Sequence, residues 1–202
     1  MTVGFNRRFS PFIQDAKKQL GSTNTAINVI ATMNAGFIPQ DSWVHDMEVG
    51  GGRIIGEACH LIDLITFLTG STVEKVVMNA MGNNPEENTD NASILLKYKN
   101  GSQGTINYFS NGSKAYSKER VEIYAQNRTI VIDNFRKSNY YGFKSSGLKK
   151  RQDKGHFNQF QTFLKNLKSG GVATIPFLEI VNTSRAAIAA VESLKKGNWD
   201  EV

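Results

Sequence analysis

Residues 72–137 form a succession of short segments in which apolar and polar side chains alternate. A period of two, with many β-branched and aromatic residues and turn residues between the segments, predicts β-strands. The segments are TVEKVVMNAMG, NASILLKYKN, SQGTINYFSNG, KERVEIYAQN and RTIVIDNFRK. Asn100-Gly101 and Gln126-Asn127 are the expected hairpin turns. The pattern therefore predicts adjacent strands that pair as an antiparallel meander.

Helical periodicity marks both ends of the chain. Ser10 and Pro11 supply an N-cap and a first helical residue for PFIQDAKKQL, and Gly21 follows as a C-terminal cap. The segments GHFNQFQTFLKNLKSGG and FLEIVNTSRAAIAAVESLKKG repeat apolar side chains at helical spacing. Two further strands are predicted near the start, Thr2 to Phe9 and NTAINVIATMNAG. The second of these places four apolar side chains on one face: Ile27, Val29, Ala31 and Met33.

Strands in the middle and helices at both ends predict an α+β fold, a largely antiparallel open-faced sheet with helices packed on one face. No internal repeat or linker interrupts the chain, so residues 1–202 are predicted to form one domain. In TINYF, Ile106 and Tyr108 alternate with Asn107 and Phe109, so neither face of the sheet is wholly polar. An apolar second face usually meets another chain. We therefore expect a homodimer through the open sheet face.

The stretch GGGRIIGEACHLID, Gly50 to Asp63, combines glycines with titratable side chains at the start of a predicted helix. The spacing of Gly50, Gly52 and Gly56 is G-x-G-x-x-x-G, one residue longer than the dinucleotide fingerprint. The preceding SWVHDMEV is a poor buried strand, because it carries several charged or titratable residues. A nucleotide site built from this chain alone is therefore not expected.

His60 lies opposite the face of this helix that is expected to pack on the sheet. Glu57 and Asp63 are three residues on either side of it, close to it around the helix. Such carboxylates can orient an imidazole and favour its protonated form, which predicts an acid/base site. The alternative is a salt-bridged surface histidine. No metal is expected, because the candidate ligands lack ligand spacing: His45, Asp46, Glu57 and His60.

Composition and charge narrow the function classes. The net charge is +6, and the densest basic patch, Lys144 to Lys154, contains no aromatic residue. A mobile solvated loop is expected there, and nucleic-acid binding is not. No apolar run is long enough to span a membrane, and the start lacks the features of a signal peptide. The single cysteine, Cys59, excludes an internal disulfide, so a cytoplasmic location is expected.

The stretch GGGRIIGEACHLIDLITFLTG resembles the G-G-G-x-(apolar)2-x-x-x-x-H-x-x-D segment of the Gfo/Idh/MocA oxidoreductases. Further segments resemble the same family in order: VGFNRRFSP, NAGFIPQDSWVHD, ILLKYKNGSQGTINY and IAAVESLKKGNWDEV. The resemblance implies the family's C-terminal domain, with a dihydrodipicolinate-reductase-like fold that carries the substrate site and the oligomer interface. The Rossmann domain and its E-K-P motif are absent from this chain, so we expect the chain to be part of a longer dehydrogenase, called the parent below.

The resemblance also assigns roles. His60 is the expected catalytic residue, and Glu57 is its partner in place of a family aspartate at the position of Gly56. Asp63 is expected to be structural. The expected substrate-binding residues are Asn6, Arg7, Asn34, Trp43, His45 and Arg53.

The parent is expected to transfer hydride between a sugar or sugar-nucleotide and NAD or NADP. The fragment itself is expected to bind no cofactor and to be inactive, because the cofactor domain is missing. A different class of function is left open: a non-catalytic, sheet-mediated dimerisation or binding module with a vestigial pocket.

Overall fold

A computed structural model describes residues 2–21, 25–171 and 173–202. The strands are β1 (Asn28–Asn34), β2 (Val73–Ala80), β3 (Asn91–Tyr98), β4 (Gln103–Phe109), β5 (Glu119–Ala125), β6 (Arg128–Asp133), β7 (Lys137–Tyr141) and β8 (Asp200–Glu201). They form one sheet in the order β7-β6-β5-β1-β4-β3-β2-β8. The helices are α1 (Pro11–Leu20), α2 (Cys59–Thr69), α3 (His156–Lys168) and α4 (Phe177–Lys196). The predicted α+β class and largely antiparallel sheet are confirmed.

The predicted meander is broken in the middle by β1. This strand runs parallel to β4, with Asn28 opposite Gln103, and antiparallel to β5, with Asn28 opposite Tyr124. Strands β2 to β4 and strands β5 to β7 pair consecutively on its two sides. The side chains of Val29, Ala31 and Met33 are buried, so β1 belongs at the centre of the core, where both its edges are hydrogen-bonded.

The predicted turn at Gln126 and Asn127 is confirmed, with φ angles of 51° and 59° that suit a two-residue hairpin. Strand β7 was not predicted. Its sequence, KSNYY, is mostly polar and lies at the edge of the sheet. Such an edge strand carries little of the alternation that identifies buried strands.

The core lies between one face of the sheet and helices α1, α2 and α4. Helix α2 buries Leu61, Ile62, Ile65 and Leu68. Gly104 on β4 allows this helix to approach closely, since a Cβ atom there would lie 3.1 Å from two side-chain carbons of Ile65. Helix α2 and the turn before it are therefore held at a fixed depth above the strands. None of the helices in residues 2–21, 25–171 and 173–202 is long and apolar enough to cross a bilayer.

The prediction of a strand at Thr2 to Phe9 is wrong. Residues Arg7–Phe9 form a 3-10 turn, closed by a hydrogen bond of 2.9 Å from the Phe9 amide to the Asn6 carbonyl. Both arginine side chains of the turn are drawn into buried ion pairs, Arg7 with Glu119 and Arg8 with Asp63. These contacts tie the segment to the start of β5 and to α2, and the segment does not pair as a strand.

The basic segment Lys144 to Lys154 was predicted to be a mobile solvated loop, but it is bonded along the edge of the sheet. The Ser138 amide donates to the Leu148 carbonyl at 2.7 Å, and the Lys150 amide donates to the Arg136 carbonyl at 2.9 Å. An edge strand offers unpaired backbone groups, and this segment satisfies some of them. Its last residue, Lys154, is thereby brought to the candidate site.

Candidate functional site

The three consecutive glycines form a tight turn that packs on the chain just before it. Gly51 and Gly52 have φ angles of 69° and 75°, which favour glycine. A Cβ atom on Gly50 would lie 2.4 Å from the Trp43 carbonyl oxygen. The amides of Gly50 and Gly51 both donate to the Asp46 carbonyl, at 2.8 and 2.9 Å. The turn is therefore filled by its own neighbours and does not offer an open cradle for phosphate.

A π-helical turn, Ile54–Ala58, follows the glycines and leads directly into α2. Such wide turns are rare and occur often at functional sites. Glu57 lies in this turn and His60 in the first turn of α2, so a local irregularity of the backbone separates the two candidate catalytic residues. The regular helical wheel used for the sequence does not describe their relative orientation.

His60 is half-buried and contacts the ring of Phe5 edge-on, with 5.7 Å between the ring centroids. Its Nδ1 atom is buried and has no hydrogen-bond partner among the described residues. Burial, the largest cause, and the positive charge of Arg7 together lower the pKa of His60 to about 4, while Glu119 and Glu57 act in the opposite direction. The imidazole is therefore neutral at neutral pH. As expected, Glu57 favours the protonated form of His60, but burial outweighs it and the net shift is toward the neutral ring.

A buried ionic cluster lies beside His60. Arg7 donates from Nε to Oε2 of Glu119 at 2.6 Å and from Nη2 to Oε1 at 3.3 Å, and Lys154 donates to the same Oε1 atom. Burial acts to raise the pKa of Glu119, but Arg7 and Lys154 together hold that pKa below its usual value. The cluster thus contains two cations and one carboxylate. Asn6 supports it by donating from its amide to the Lys154 carbonyl at 2.8 Å.

Glu57 belongs to a second polar network. Its Oε1 atom accepts from Nε and Nη2 of Arg53 at 3.4 and 3.3 Å, and its Oε2 atom accepts from the hydroxyl of Tyr108 at 2.9 Å. The guanidinium of Arg53 also lies over the Tyr108 ring, 5.3 Å from its centroid. Burial raises the pKa of Tyr108, so its hydroxyl stays protonated and remains a donor. Glu57 is oriented by these two residues, and the structure gives no hydrogen bond from it to His60.

Arg53 is itself buried, and its remaining nitrogen, Nη1, also forms hydrogen bonds to protein atoms. Nη1 donates to the Gly36 carbonyl at 2.8 Å and reaches Oδ2 of Asp90 at 3.4 Å. All three of its nitrogens thus have protein acceptors. This geometry suits a residue that holds Glu57 in place better than one that clamps a substrate.

The other predicted substrate-binding residues, Asn34, Trp43 and His45, lie outside these two hydrogen-bonded networks. Asn34 is the last residue of β1. The side chain of the preceding residue, Met33, is directed to the helix layer, so the side chain of Asn34 lies on the open face of the sheet. Its amide donates to the Ser113 carbonyl at 2.7 Å. Trp43 is 66% exposed. His45 is buried, and neither of its ring nitrogens has a hydrogen-bond partner in the described part of the chain.

Asp63 lies deeper in α2 and is fully buried. Its carboxylate accepts two hydrogen bonds from Arg8, at 2.9 Å from Nε and 2.6 Å from Nη2. Burial raises the pKa of Asp63 to about 6, with Arg8 acting against that rise, so the carboxylate is ionised at neutral pH. The geometry agrees with the structural role expected from the sequence.

Four residues of the two networks were not predicted as site residues: Glu119, Tyr108, Asp90 and Lys154. A signal existed for Glu119, because it is in phase with the buried side chains of Val121 and Ile123 in an alternating strand. A carboxylate at a buried strand position needs a partner, although the alternation does not identify which residue supplies it. Lys154 had no comparable signal, because it ends a segment of exposed basic residues.

The comparisons with known proteins agree with this fold. Residues 21–131 match the GFO/IDH/MocA C-terminal domain model. Similar solved structures include a levoglucosan dehydrogenase in complex with NADH and levoglucosan (20% identity, TM-score 0.80, 100% of this chain and 65% of that one). An aldose-aldose oxidoreductase from Caulobacter crescentus in complex with glycerol has 12% identity and a TM-score of 0.80, over 100% and 64% of the two chains. An oxidoreductase domain protein from Kribbella flavida has 19% identity and a TM-score of 0.79, over 99% and 65%.

These structures share the fold, and this chain spans less than two thirds of the length of each of them. Comparison with curated proteins gives no match. The family model covers more than half of the 202 residues and includes the glycine turn and the helix that carries His60. The chain belongs to the GFO/IDH/MocA family, as a C-terminal domain.

Proposed function

We propose that this chain is the substrate-binding domain of a cytoplasmic NAD(P)-dependent dehydrogenase that acts on a sugar or sugar-nucleotide. The observation that carries the proposal is the state of His60, a half-buried imidazole kept neutral at neutral pH on the helix that follows the family's glycine turn. Levoglucosan dehydrogenase and aldose-aldose oxidoreductase have the same fold, and both are named for sugars, which supports this substrate class.

His60 has the chemistry required at an alcohol that is being oxidised. A neutral imidazole can accept the hydroxyl proton as hydride leaves the same carbon, and it can return the proton in the reverse direction. Its Nδ1 atom has no partner among the described residues, and none of their hydrogen bonds occupies Nε2, so the ring is not committed to the fold through either nitrogen. The positive charge of Arg7 lies close enough to disfavour protonation of the His60 ring. A protonated His60 therefore passes its proton to water readily once the oxidised product has left.

The redox chemistry itself is that of the nicotinamide, which accepts or supplies the hydride. The glycine turn of this chain does not fit the dinucleotide, because the amides of Gly50 and Gly51 are bonded to Asp46 and Gly50 packs against the Trp43 carbonyl. We therefore assign the dinucleotide to a Rossmann domain of the parent. The levoglucosan dehydrogenase structure holds NADH, which supports this cofactor class.

The proposal is tested by supplying the parent with NAD or NADP and a panel of aldoses, sugar alcohols and sugar-nucleotides, and following nicotinamide absorbance. We expect saturable turnover with at least one sugar-like substrate. The 202-residue chain alone is expected to give no turnover and no saturable NAD binding by calorimetry. Turnover only with substrates that lack a sugar ring would contradict the substrate class, and saturable binding to the isolated chain would contradict the assignment of the cofactor.

The open face of the sheet is proposed to pair with a second copy of the chain. It exposes apolar side chains among polar ones, including Leu95, Phe109, Tyr124 and Tyr141. We expect a mass near twice 22.4 kDa by light scattering, and a shift to monomer in Leu95→Arg. Ile188→Arg, at an exposed position of α4 on the opposite side of the sheet, is the matched control and should remain dimeric. An unchanged mass in both variants would place the contact elsewhere.

A further inference from the structure

We propose that Glu57 binds the substrate of the parent by accepting a hydrogen bond from a sugar hydroxyl close to the carbon that is oxidised. This inference rests on the proposed function, because it takes the substrate to be a sugar. It gives Glu57 a role that differs from the one expected from the sequence, which was to orient His60. Glu57 then selects among sugars, while His60 moves the proton.

The carboxylate of Glu57 has more acceptor positions than protein donors. A carboxylate offers about four lone-pair positions on its two oxygens. Oε1 accepts from Nε and Nη2 of Arg53, and Oε2 accepts from the hydroxyl of Tyr108. No other donor among the described residues reaches Glu57. Its side chain is 38% exposed, so a ligand hydroxyl can approach the remaining position on Oε2.

The two residues that donate to Glu57 are themselves fixed by buried contacts. Only 2% of the Arg53 side chain is exposed, and its Nη1 atom donates to the Gly36 carbonyl at 2.8 Å and to Asp90 at 3.4 Å. Tyr108 is fully buried on β4, with its ring centroid 5.3 Å from the Arg53 guanidinium. A carboxylate that is held through both oxygens keeps one orientation, which is the condition for recognising one hydroxyl among several.

The balance of charge in this network indicates which kind of ligand group Glu57 accepts. Within the described chain Arg53 is the one cation of the network, and it faces two carboxylates, Glu57 at 3.3 Å and Asp90 at 3.4 Å. Asp90 is buried, so the pairing of Arg53 does not depend on Glu57 alone. The excess negative charge lies at the more exposed carboxylate, which repels a phosphate and attracts a neutral hydroxyl donor. A sugar-nucleotide would therefore place its phosphates elsewhere.

Glu57 and His60 act on the same space from neighbouring turns of the chain. Glu57 lies in the π-helical turn, and His60 follows three positions later in the first turn of α2. The charge of Glu57 acts on the imidazole, although no hydrogen bond joins the two side chains. Sugars carry hydroxyl groups on adjacent carbons, so one substrate can present its reacting hydroxyl to His60 and another hydroxyl to Glu57.

The test combines a variant of the parent with sugars from which single hydroxyl groups have been removed. Glu57→Gln keeps the size of the side chain and replaces one acceptor oxygen by an amide nitrogen. We expect KM for the best sugar to rise about 10- to 100-fold with little change in kcat, because a hydrogen bond to a charged group is lost from the bound sugar and the transition state alike. One monodeoxy sugar should bind the wild-type parent as weakly, and Glu57→Gln should change its KM by less than about twofold.

Asp90→Asn is the matched control for this variant. Asp90 is the other carboxylate on Arg53, but it is buried, and we place no substrate hydroxyl on it. Any effect of Asp90→Asn should therefore be the same for the sugar and for each of its monodeoxy analogues. A disturbed fold acts on all these substrates alike, whereas a direct contact makes the effect of a variant depend on one hydroxyl.

Equal effects of Glu57→Gln on the sugar and on every monodeoxy analogue would overturn the inference. A fall in kcat with unchanged KM would also overturn it, because Glu57 would then act on the reaction through His60. Binding of the same sugars, followed by ligand-observed NMR with and without the dinucleotide, separates this inference from the proposed function. A parent that bound a sugar through Glu57 without turning it over would reject the proposed function alone. A parent that bound none of the sugars would reject both.

Discussion

Replacing His60 by alanine in the parent is expected to lower kcat by about 10²- to 10⁴-fold, the usual contribution of a general acid or base. The physical reason is that the variant has no imidazole at the reacting carbon to accept the proton of the substrate hydroxyl. KM should change less, because the proton moves in the transition state and not in the bound ground state. The measurement is steady-state turnover with the best substrate found for the wild-type parent.

His156→Ala is the matched control, since His156 is an exposed histidine at the start of α3. It should leave kcat within about twofold, as expected for a surface substitution. If His60→Ala also retained wild-type kcat, the non-catalytic binding module would become the better description of this domain. A loss of thermal stability in His60→Ala that matched its loss of activity would likewise count against a catalytic role, so both are measured.

The unusual pKa of His60 gives an independent readout in the isolated chain. Its folded value of about 4 lies below the ordinary 6.5, so the unfolded chain binds more protons between these two pH values. The contribution of His60 to stability is therefore complete above pH 6.5 and is lost as the pH falls toward 4. The imidazole proton shifts of His60, assigned in NMR spectra by their absence from His60→Gln, should titrate near 4. A titration midpoint near 6.5 would mean that the His60 ring is exposed to water in the folded chain.

The strands between residues 72 and 137 were predictable because alternation is a local property of the sequence. The position of β1 was not, since its partners Gln103 and Tyr124 are far away in the chain and nothing local selects them. The prediction of a strand at Thr2 to Phe9 failed for a related reason. It has the composition of a strand, yet its two arginines find buried carboxylates on β5 and α2, and tertiary contacts override the local preference.

The candidate site divides in the same way. His60 was found through local helix spacing and a family resemblance, both of which can be read along the chain. The protonation state of His60 could not be predicted in this way, because its burial against Phe5 and the approach of Arg7 arise only in the fold. Arg7 and Glu119 are 112 positions apart, and Lys154 joins them from a segment that looked like solvent-exposed chain. Alternation in β5 marked Glu119 as buried, but it did not identify the partners.

The second large effect concerns stability: Asp63→Ala is expected to lower the free energy of unfolding by about 3–5 kcal/mol. Both Asp63 and Arg8 are almost fully buried, and their two hydrogen bonds of 2.6 and 2.9 Å are the main compensation for that burial. Without the carboxylate, the guanidinium keeps only Glu179, at 2.7 Å and partly exposed, and the ring of Phe67. A buried charge left with one partly exposed partner is the costly element, more than the lost attraction itself.

Urea unfolding, followed by tryptophan fluorescence, measures this difference. Glu87→Ala removes a partly exposed partner of Lys195 and should cost less than about 1 kcal/mol. The double variant Arg8→Met with Asp63→Leu removes both charges and fills their space with apolar atoms, so it should recover most of the stability lost in Asp63→Ala. If the double variant were as unstable as Asp63→Ala, the lost stability would come from packing. If Asp63→Ala cost no more than Glu87→Ala, the pair would be hydrated in solution. Recovery in the double variant would show that Asp63 acts by neutralising Arg8, and would leave the proton chemistry of α2 to His60.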